Sequence, residues 1–210
     1  MHKLRMEISG IKNLLIDFGG VLVNLDRQAC LNNFKNIGIE DIASFIDPYR
    51  QQGAFMQLEK GLITLSAFRD ELRELSKKPV TDEQIDGAWN SFLVDIPVAK
   101  LDLLLKLREQ YAIYLVSNTN LIHWEWACQN AFPHKGFRVE DYFDKRFLSF
   151  EMHCAKPEIE LFQKVLEETA IIPEETLFID DAEANCKAAQ SLGIHTYMAK
   201  AKENWGHLFE

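Results

Sequence analysis

Short apolar runs alternate with stretches of helical periodicity over much of the chain. Runs of this length, bounded by glycine or polar residues, are typical of buried strands. The predicted strands are Lys12–Phe18, Ala112–Val116, Arg146–Phe150, Thr176–Ile179 and Ile194–Met198. The helices predicted among them are Val98–Gln110, Leu121–Asn130, Glu158–Thr169 and Ala182–Leu192. Strands that alternate with helices predict an α/β fold, with a parallel sheet covered by helices on both faces.

The segment between the first strand and the first of these helices has a different pattern. It contains no strong strand signal, and its apolar residues recur three and four positions apart. Thr64 and Thr81 are typical N-cap residues and predict two helix starts. We therefore predict a helical insertion over residues 26–96 and a core domain made of residues 1–25 and 97–210.

Four chemically informative residues lie at the carboxyl ends of three predicted strands. Asp17 lies near the end of the first strand, Ser117 follows the second, and Asp180 and Asp181 follow the fourth. In open parallel sheets, ligands bind outside the carboxyl ends of the strands. This topology therefore predicts that residues far apart in sequence meet at one edge of the sheet.

Three aspartates at one edge repel each other unless a cation lies between them, because an unpaired buried charge is costly. Mg²⁺ prefers oxygen ligands and is suited to two carboxylates, water and a phosphate oxygen. Each aspartate taken alone has an alternative interpretation as a helix N-cap. That alternative explains the three aspartates together with a lysine and a serine less well.

Lys156 and the pair Ser117-Asn118 complete the candidate site. Taken alone, Lys156 has the interpretation of a solvated surface lysine, and Ser117-Asn118 that of a turn. Taken with the aspartates, they predict phosphoryl transfer, in which a carboxylate attacks phosphorus and an aspartyl-phosphate forms. A lysine and a magnesium ion then neutralise the phosphoryl oxygens, and a hydroxyl with backbone N–H groups holds the remaining oxygen.

Four segments resemble, in order, the four motifs of the haloacid dehalogenase-like (HAD) superfamily. They are LLIDFGGVLV, YLVSNTN, AKPEIELF and LFIDDAEAN. The insertion over residues 26–96 resembles the C1 helical cap of subfamily I. Within the superfamily, the chain resembles the α-glucose-1-phosphate phosphatase-like proteins and the N-terminal phosphatase domain of soluble epoxide hydrolases. The resemblance implies a Rossmann-like core with a helical cap and a Mg²⁺-dependent phosphatase activity.

The resemblance also implies a role for each matched residue. Asp17 would be the nucleophile, and Lys156 would hold both the nucleophile and the phosphoryl group in place. The implied metal ligands are Asp17, the backbone carbonyl of Gly19, Asp181 and, directly or through water, Asp180. The implied phosphate-binding residues are Ser117, Asn118 and Lys156.

The chain departs from the superfamily pattern at Gly19. Most HAD phosphatases have an aspartate two residues after the nucleophile, and it acts as general acid and base, help that is typically worth ~10²–10⁴-fold. Three explanations remain open: a substrate with a good leaving group such as an anomeric phosphate, a substitute such as His123 or a cap residue, or a weak or inactive protein. The glucose-1-phosphate phosphatase-like branch shares this glycine, which favours activity. His123 has an alternative interpretation as an ordinary, partly exposed histidine.

Two other functions agree with part of the pattern. A haloacid dehalogenase uses the first aspartate without a metal, but the pair Asp180-Asp181 favours phosphate chemistry. A non-catalytic HAD-fold binding protein is supported by Gly19 alone, and the retention of Asp17 and Lys156 argues against it. Phosphonatase activity is disfavoured because phosphonatases use a lysine of the cap, and no residue of this chain is assigned to that role.

Composition narrows the partners and the location. The net charge of −9 provides no positive field for non-specific nucleic-acid binding. The N-terminal residues lack an apolar core of signal-peptide length, and no apolar run is long enough to span a membrane. The four cysteines are scattered, without C-x-x-C spacing. We expect a cytoplasmic protein that is a monomer or a weak homodimer.

The predicted substrate is a small phosphorylated metabolite, because C1 caps close over small substrates and exclude water. A sugar phosphate is the guess that follows from the resemblance. The segment Gln57–Thr64 resembles the stretch that faces the leaving group in related proteins. Glu59 and Lys60 would meet sugar hydroxyls there, although an interpretation as a polar helix end before Gly61 is favoured.

Overall fold

A five-stranded parallel sheet forms the centre of the molecule. The structure is a computed structural model that describes residues 9–47 and 51–210, so residues 1–8 of the predicted core domain lie outside the described residues. The strands are β1 (Asn13–Ile16), β2 (Ala112–Ser117), β3 (Lys145–Leu148), β4 (Thr176–Asp180) and β5 (His195–Met198), in the spatial order β3-β2-β1-β4-β5.

Ten helices surround or extend the sheet in the described part of the chain. They are α1 (Arg27–Asn36), α2 (Gly53–Glu59), α3 (Leu65–Leu75), α4 (Asp82–Asn90), α5 (Val98–Leu107), α6 (Leu121–Asn130), α7 (Val139–Tyr142), α8 (Ser149–Met152), α9 (Ile159–Thr169) and α10 (Glu183–Gln190). Short 3₁₀ turns lie at Ile42–Ser44, Pro173–Glu175 and Trp205–Phe209. None of the described helices has the length and apolar character of a membrane span.

The central strand β1 shows why the sheet is buried on both faces. Leu14 and Ile16 pack in one hydrophobic cluster, while Leu15 packs in a second cluster on the other side. Alternate strand residues point to opposite faces, so an unbroken apolar run requires a hydrophobic layer on each side. The parallel pairing sets Ile16 beside Leu115 of β2 and Ile179 of β4. The carboxyl ends of these three strands therefore lie at one edge.

Helices α1 to α4 enclose a cluster of aromatic side chains. The ring of Phe55 on α2 lies 5.9 Å from Phe34, 5.1 Å from Phe68 and 4.7 Å from Trp89, measured between centroids. The predicted N-caps are present: the Thr64 hydroxyl accepts from a helix N–H, and Thr81 forms a capping box with Gln84. These bonds satisfy N–H groups that have no partner within the helix.

The connections into and out of the helical segment run side by side. The Asn24 N–H donates to the Asp95 carbonyl at 2.8 Å, and the Val94 N–H donates to the Asn24 carbonyl at 2.9 Å. A segment that leaves and returns at one place is what an insertion requires, which supports the predicted division at residues 26–96. That division into cap and core stays a prediction.

One strand boundary and one helix start show where the structure departs from the sequence pattern. The strand predicted over Arg146–Phe150 is β3, Lys145–Leu148, and the chain turns into the short helix α8 directly after it. Helix α2 starts at Gly53, and no helix start was predicted there. Gly53 has a φ of +56°, and a β-carbon there would lie 2.9 Å from the Phe45 ring. The helix therefore begins at a position whose backbone conformation and surroundings favour glycine.

Candidate active site

Asp17 directly follows β1, and the tight loop after it places glycine against a neighbouring carboxylate. The Phe18 carbonyl accepts hydrogen bonds from the N–H groups of Leu22 and Val23, at 2.9 and 2.8 Å. Gly20 has a φ of +74°, and a β-carbon there would lie 2.2 Å from Asp181 Oδ2. Only glycine allows this conformation and this close approach between the loop and Asp181.

Lys156 joins two buried aspartates. Its Nζ lies 2.6 Å from Asp17 Oδ1 and 2.7 Å from Asp180 Oδ2. The side chain of Lys156 is 1% exposed, so it is not the solvated surface lysine that its sequence context alone allowed. Because water is almost excluded, the ammonium group is the neighbour that compensates the two carboxylates.

The three aspartates predicted to meet do so. Ligand atoms of Asp17, Asp180 and Asp181 all lie within 4.8 Å of one another. Oxygen donors at this spacing match the coordination preference of Mg²⁺. A hard divalent cation is therefore compatible with the residues present.

Asp180 is held by protein groups on both of its oxygens. Oδ1 accepts from the Ala182 N–H at 2.8 Å and from Asn185 Nδ2 at 3.0 Å, and Oδ2 accepts from Lys156. Asp180 is fully buried, whereas Asp181 retains partial exposure. Asn185 lies within the fourth motif, and its sequence context alone predicts no role for it. Its place in the first turn of α10, five residues after Asp180, is the signal that would have indicated one.

Burial and mutual repulsion shift the protonation of this cluster. Burial raises the pKa of Asp17 to about 8; Lys156 opposes this shift, and Asp180 and Asp181 add to it. Burial and the Asp180 charge likewise raise the pKa of Asp181 to about 6, against Lys156. Burial by itself lowers the pKa of Lys156, but the charges of Asp17 and Asp180 outweigh it and raise the value. Without a cation, the site therefore resists holding all of its carboxylates ionised.

The predicted phosphate-binding pair is placed differently for its two members. Ser117 is fully buried, and its Oγ donates to the Asn118 carbonyl at 3.3 Å. The Asn118 side chain binds the backbone of Lys156 twice: Nδ2 donates to its carbonyl and Oδ1 accepts from its N–H, both at 2.8 Å. The Asn118 amide thus fixes the position of Lys156. The phosphate-binding role of both residues stays a prediction.

A pocket opens at this edge between the sheet and the helical segment. Asp17, Gly19, Lys156 and Asp181 line it from the core side. From the helical segment and its connections, Gln51, Glu59, Phe92 and Leu93 line it, together with Asn118, Thr119, His123 and Asn185. The site therefore combines a charged floor with a wall to which residues before Pro97 contribute.

His123 differs from its expected environment. It is buried rather than partly exposed, and its ring stacks on Trp89 with centroids 4.1 Å apart. Nε2 lies 3.1 Å from the Trp89 carbonyl, which can only accept, so this nitrogen carries the hydrogen. Burial lowers the pKa of His123 to about 4, against that hydrogen bond. A neutral ring whose N–H is already donated is a poor acid for a leaving group.

Glu59 at the end of α2 is half-buried and lines the pocket. Burial raises its pKa to about 8; the Asp17 charge adds to this shift, and Lys156 opposes it. The favoured interpretation of Glu59 as part of a polar helix end is correct for its place in the chain, but that place faces the site.

Comparisons with known proteins agree with this architecture. The family model of the haloacid dehalogenase-like hydrolases matches residues 11–193. A D-ribitol-5-phosphate phosphatase of Bacteroides thetaiotaomicron is 37% identical over 195 residues, which are 93% of this chain and 95% of that protein.

Solved structures of HAD family proteins are also similar to this chain. One is a HAD family enzyme of Bacteroides thetaiotaomicron, solved as a mutant with one aspartate replaced by alanine and in complex with magnesium and inorganic phosphate. It is 61% identical to this chain, with a TM-score of 0.93, and the match covers 95% of this chain and 99% of that one. Its wild-type complex with magnesium and inorganic phosphate is 62% identical, with a TM-score of 0.91 over 95% and 100%. A predicted HAD-like family hydrolase from Porphyromonas gingivalis is 38% identical, with a TM-score of 0.86 over 93% and 94%.

Proposed function

We propose a function from one premise: the chain belongs to the haloacid dehalogenase-like hydrolase family. It is a Mg²⁺-dependent phosphatase that hydrolyses a small phosphorylated metabolite through an aspartyl-phosphate on Asp17. The observation that carries this proposal is the cluster of Asp17, Asp180 and Asp181 within 4.8 Å, joined by buried Lys156. A closely similar enzyme binds magnesium and inorganic phosphate, both as the wild type and as a mutant.

Asp17, Asp181 and the backbone carbonyl of Gly19 would hold the magnesium ion. Asp180 would contribute directly or through water, and both of its oxygens already accept hydrogen bonds from protein groups. When bound, Mg²⁺ supplies positive charge that offsets the repulsion between the carboxylates and the phosphoryl oxygens.

The chain's own residues then account for the chemistry. The Asp17 carboxylate attacks phosphorus, and the bond from phosphorus to the leaving oxygen breaks. Lys156 holds Asp17 in position and attracts the phosphoryl oxygens, while Asn118 fixes the Lys156 backbone. Ser117 and the Asn118 N–H bind the phosphoryl group from the end of β2. Water then attacks the aspartyl-phosphate and releases inorganic phosphate.

The alternatives are weaker on the same residues. A haloacid dehalogenase attacks a neutral carbon and has no use for the three clustered carboxylates, whose repulsion calls for a cation. A non-catalytic binding protein has no use for Lys156 buried against the nucleophile.

The proposal also covers the substrate class, the location and the assembly of the protein. The similarity to a D-ribitol-5-phosphate phosphatase favours a sugar or sugar-alcohol phosphate. The four cysteines are free thiols, which supports the cytoplasm as the location. We keep the expectation of a monomer or a weak homodimer.

Phosphate release tests the function directly. The purified protein should release inorganic phosphate from members of a panel of phosphorylated metabolites, with D-ribitol 5-phosphate tested first, when Mg²⁺ is present. EDTA should abolish release, and added Mg²⁺ should restore it. Turnover that persists in EDTA would favour the dehalogenase alternative, and no turnover on any phosphate ester would favour the binding protein.

A further inference from the structure

Replacing the usual second aspartate by Gly19 leaves the leaving group without its customary proton donor. An alkoxide is a poor leaving group, so an oxygen leaving phosphorus needs a proton as the bond breaks. The donor must lie where the phosphoryl group meets the rest of the substrate. This is a geometric condition that few residues of the pocket meet.

Two adjoining cavities define that boundary. The first contains Asp17 and Asp181 and would receive the phosphoryl group. The second lies beside it, between α2 and the segment before α9, and has room for the rest of the substrate. Four of the described residues line both cavities: Gln51, Glu59, Asn118 and Lys156. The leaving oxygen joins the phosphoryl group in the first cavity to the rest of the substrate in the second. The four side chains that line both cavities therefore lie around the position of this oxygen.

Three of the four are committed elsewhere. The Gln51 side-chain amide donates a hydrogen bond to the Asp47 carbonyl and accepts one from the Asp47 N–H. An amide does not give up its proton at neutral pH, so it cannot act as a general acid. Asn118 is an amide bonded to the Lys156 backbone. The Lys156 ammonium is paired with two aspartates. Glu59 is the remaining side chain, and a carboxyl group is a common general acid and base.

The chain fixes Glu59 over this boundary by contacts of the residues that follow it. Lys60 forms an ion pair with Glu158, and the Lys60 carbonyl accepts from His153 Nδ1 at 3.1 Å. Gly61 has a φ of +63°, and a β-carbon there would lie 2.2 Å from the Phe150 carbonyl oxygen. The end of α2 is therefore attached to the loop that carries Lys156.

From this geometry, we propose that Glu59 is the general acid and base of the reaction, in place of the residue missing at Gly19. This inference rests on the proposed phosphatase function. As Asp17 attacks, the Glu59 carboxyl gives its proton to the leaving oxygen, which takes the electron pair of the broken P–O bond and departs as an alcohol. The Glu59 carboxylate then takes a proton from the water that attacks phosphorus on the same side. The bond between phosphorus and the Asp17 oxygen breaks, and its electron pair restores the Asp17 carboxylate. Inorganic phosphate leaves, and Glu59 is again a protonated carboxyl group.

A series of substituted phenyl phosphates tests the proposal, because these substrates differ in leaving-group basicity and little in shape. Glu59→Gln should lower kcat/KM by ~10²-fold or more for phenyl phosphate, the size of general acid help. It should change kcat/KM little for p-nitrophenyl phosphate, whose phenolate leaves without a proton. The variant should also show a burst of nitrophenol, because water attack is slowed.

Controls separate this proposal from the phosphatase proposal and from misfolding. Glu74→Gln removes a carboxylate from an exposed position on α3 and should match the wild type. Glu59→Asp keeps a carboxyl and should recover part of the phenyl phosphate activity. An equal loss with all leaving groups, or no loss with any, would refute the role of Glu59 while leaving the phosphatase intact. Failure of the wild type to hydrolyse any of the series would instead count against the phosphatase proposal.

Discussion

Two sets of ion pairs in this protein differ in their access to water. Lys156 and Asp180 at the sheet edge have side chains that are 1% and 0% exposed. Arg69 and Asp86, which pair between α3 and α4 at 2.6 Å, are 18% and 25% exposed. Water still solvates Arg69 or Asp86 when the opposite charge is removed. The buried charges of Lys156 and Asp180 have almost no water near them and depend on the protein groups around them.

This difference in exposure indicates whether each set of ion pairs stabilises the fold or forms a functional site. An ion pair that water reaches contributes ~0–1 kcal/mol and is easily replaced. A buried cluster with more carboxylates than ammonium groups is a poor way to stabilise a fold, because desolvation of the ions is costly. Such a cluster agrees with a site that binds a cation and a reacting phosphoryl group.

The largest effect is expected for Asp17→Asn. An amide cannot form the aspartyl-phosphate, so kcat should fall by ~10⁶-fold, the order found when the nucleophile of a covalent mechanism is removed. Thermal unfolding should show a folded protein that is at least as stable as the wild type in EDTA, because one repelling carboxylate is gone. Phosphate release by this variant at near wild-type rate would show that Asp17 is not the nucleophile.

Lys156→Met should lower the free energy of unfolding by ~3–5 kcal/mol in EDTA, since it leaves two carboxylates buried without their partner. Denaturant unfolding measures the loss. Mg²⁺ should restore part of the stability, because a cation takes over some of the compensation. A change below about 1 kcal/mol would mean that water reaches the cluster and that the contrast with the surface pair is smaller than its exposure indicates.

The metal-free protein should lose stability as the pH rises from 5 to 8. Above the unfolded aspartate pKa of about 3.9, the unfolded chain has released its protons, whereas folded Asp17 and Asp181, with pKa values of about 8 and about 6, still bind theirs. The folded state then binds more protons, and its stability falls with rising pH. Each 1 kcal/mol corresponds to a Tm change of roughly 2–4 °C at this chain length.

Scanning calorimetry in EDTA and in Mg²⁺ at several pH values measures this effect. Mg²⁺ should raise the Tm more at pH 8 than at pH 5, because it binds the ionised carboxylates. Asp17→Asn should flatten the pH dependence in EDTA. A Tm that rises between pH 5 and 8 in the metal-free protein would contradict the assigned pKa directions.

The smallest effect is expected at the surface pair. Asp86→Asn removes one of the two acidic partners of Arg69, since Asp82 also lies 3.2 Å from the guanidinium, and should cost ~1 kcal/mol or less, with activity unchanged. Urea unfolding and phosphate release measure the two quantities. A loss as large as that of Lys156→Met would show that exposure does not distinguish the two sets of charges.

Much of this architecture was predictable because it depends on local patterns. The N-caps Thr64 and Thr81 and the helix Leu121–Asn130 are present as predicted, since capping and helical spacing depend on neighbouring residues. The aspartates at the ends of β1 and β4 also meet as predicted. Parallel strands in register bring their carboxyl ends to one edge, so the position of a residue along its strand determines where it lies in space.

The environments of single side chains were less predictable. Burial of His123 against Trp89, 34 positions away, contradicts the expected partial exposure. The Asn118 side chain holds the backbone of Lys156, 38 positions away, a contact that nothing local indicates. Such contacts depend on how helices and loops pack on the sheet, and short-range periodicity contains no information about that packing.

The sequence by itself therefore determined the order of the elements, the sheet edge that holds the site and the chemistry of its carboxylates. Only the tertiary structure decided which of these groups are buried, that Lys156 lies between two of them, and that Glu59 lies at the boundary of the two cavities. The physical reason is that residue type and strand position are properties of the chain. Desolvation and partner distance arise only when segments far apart in sequence pack together and exclude water.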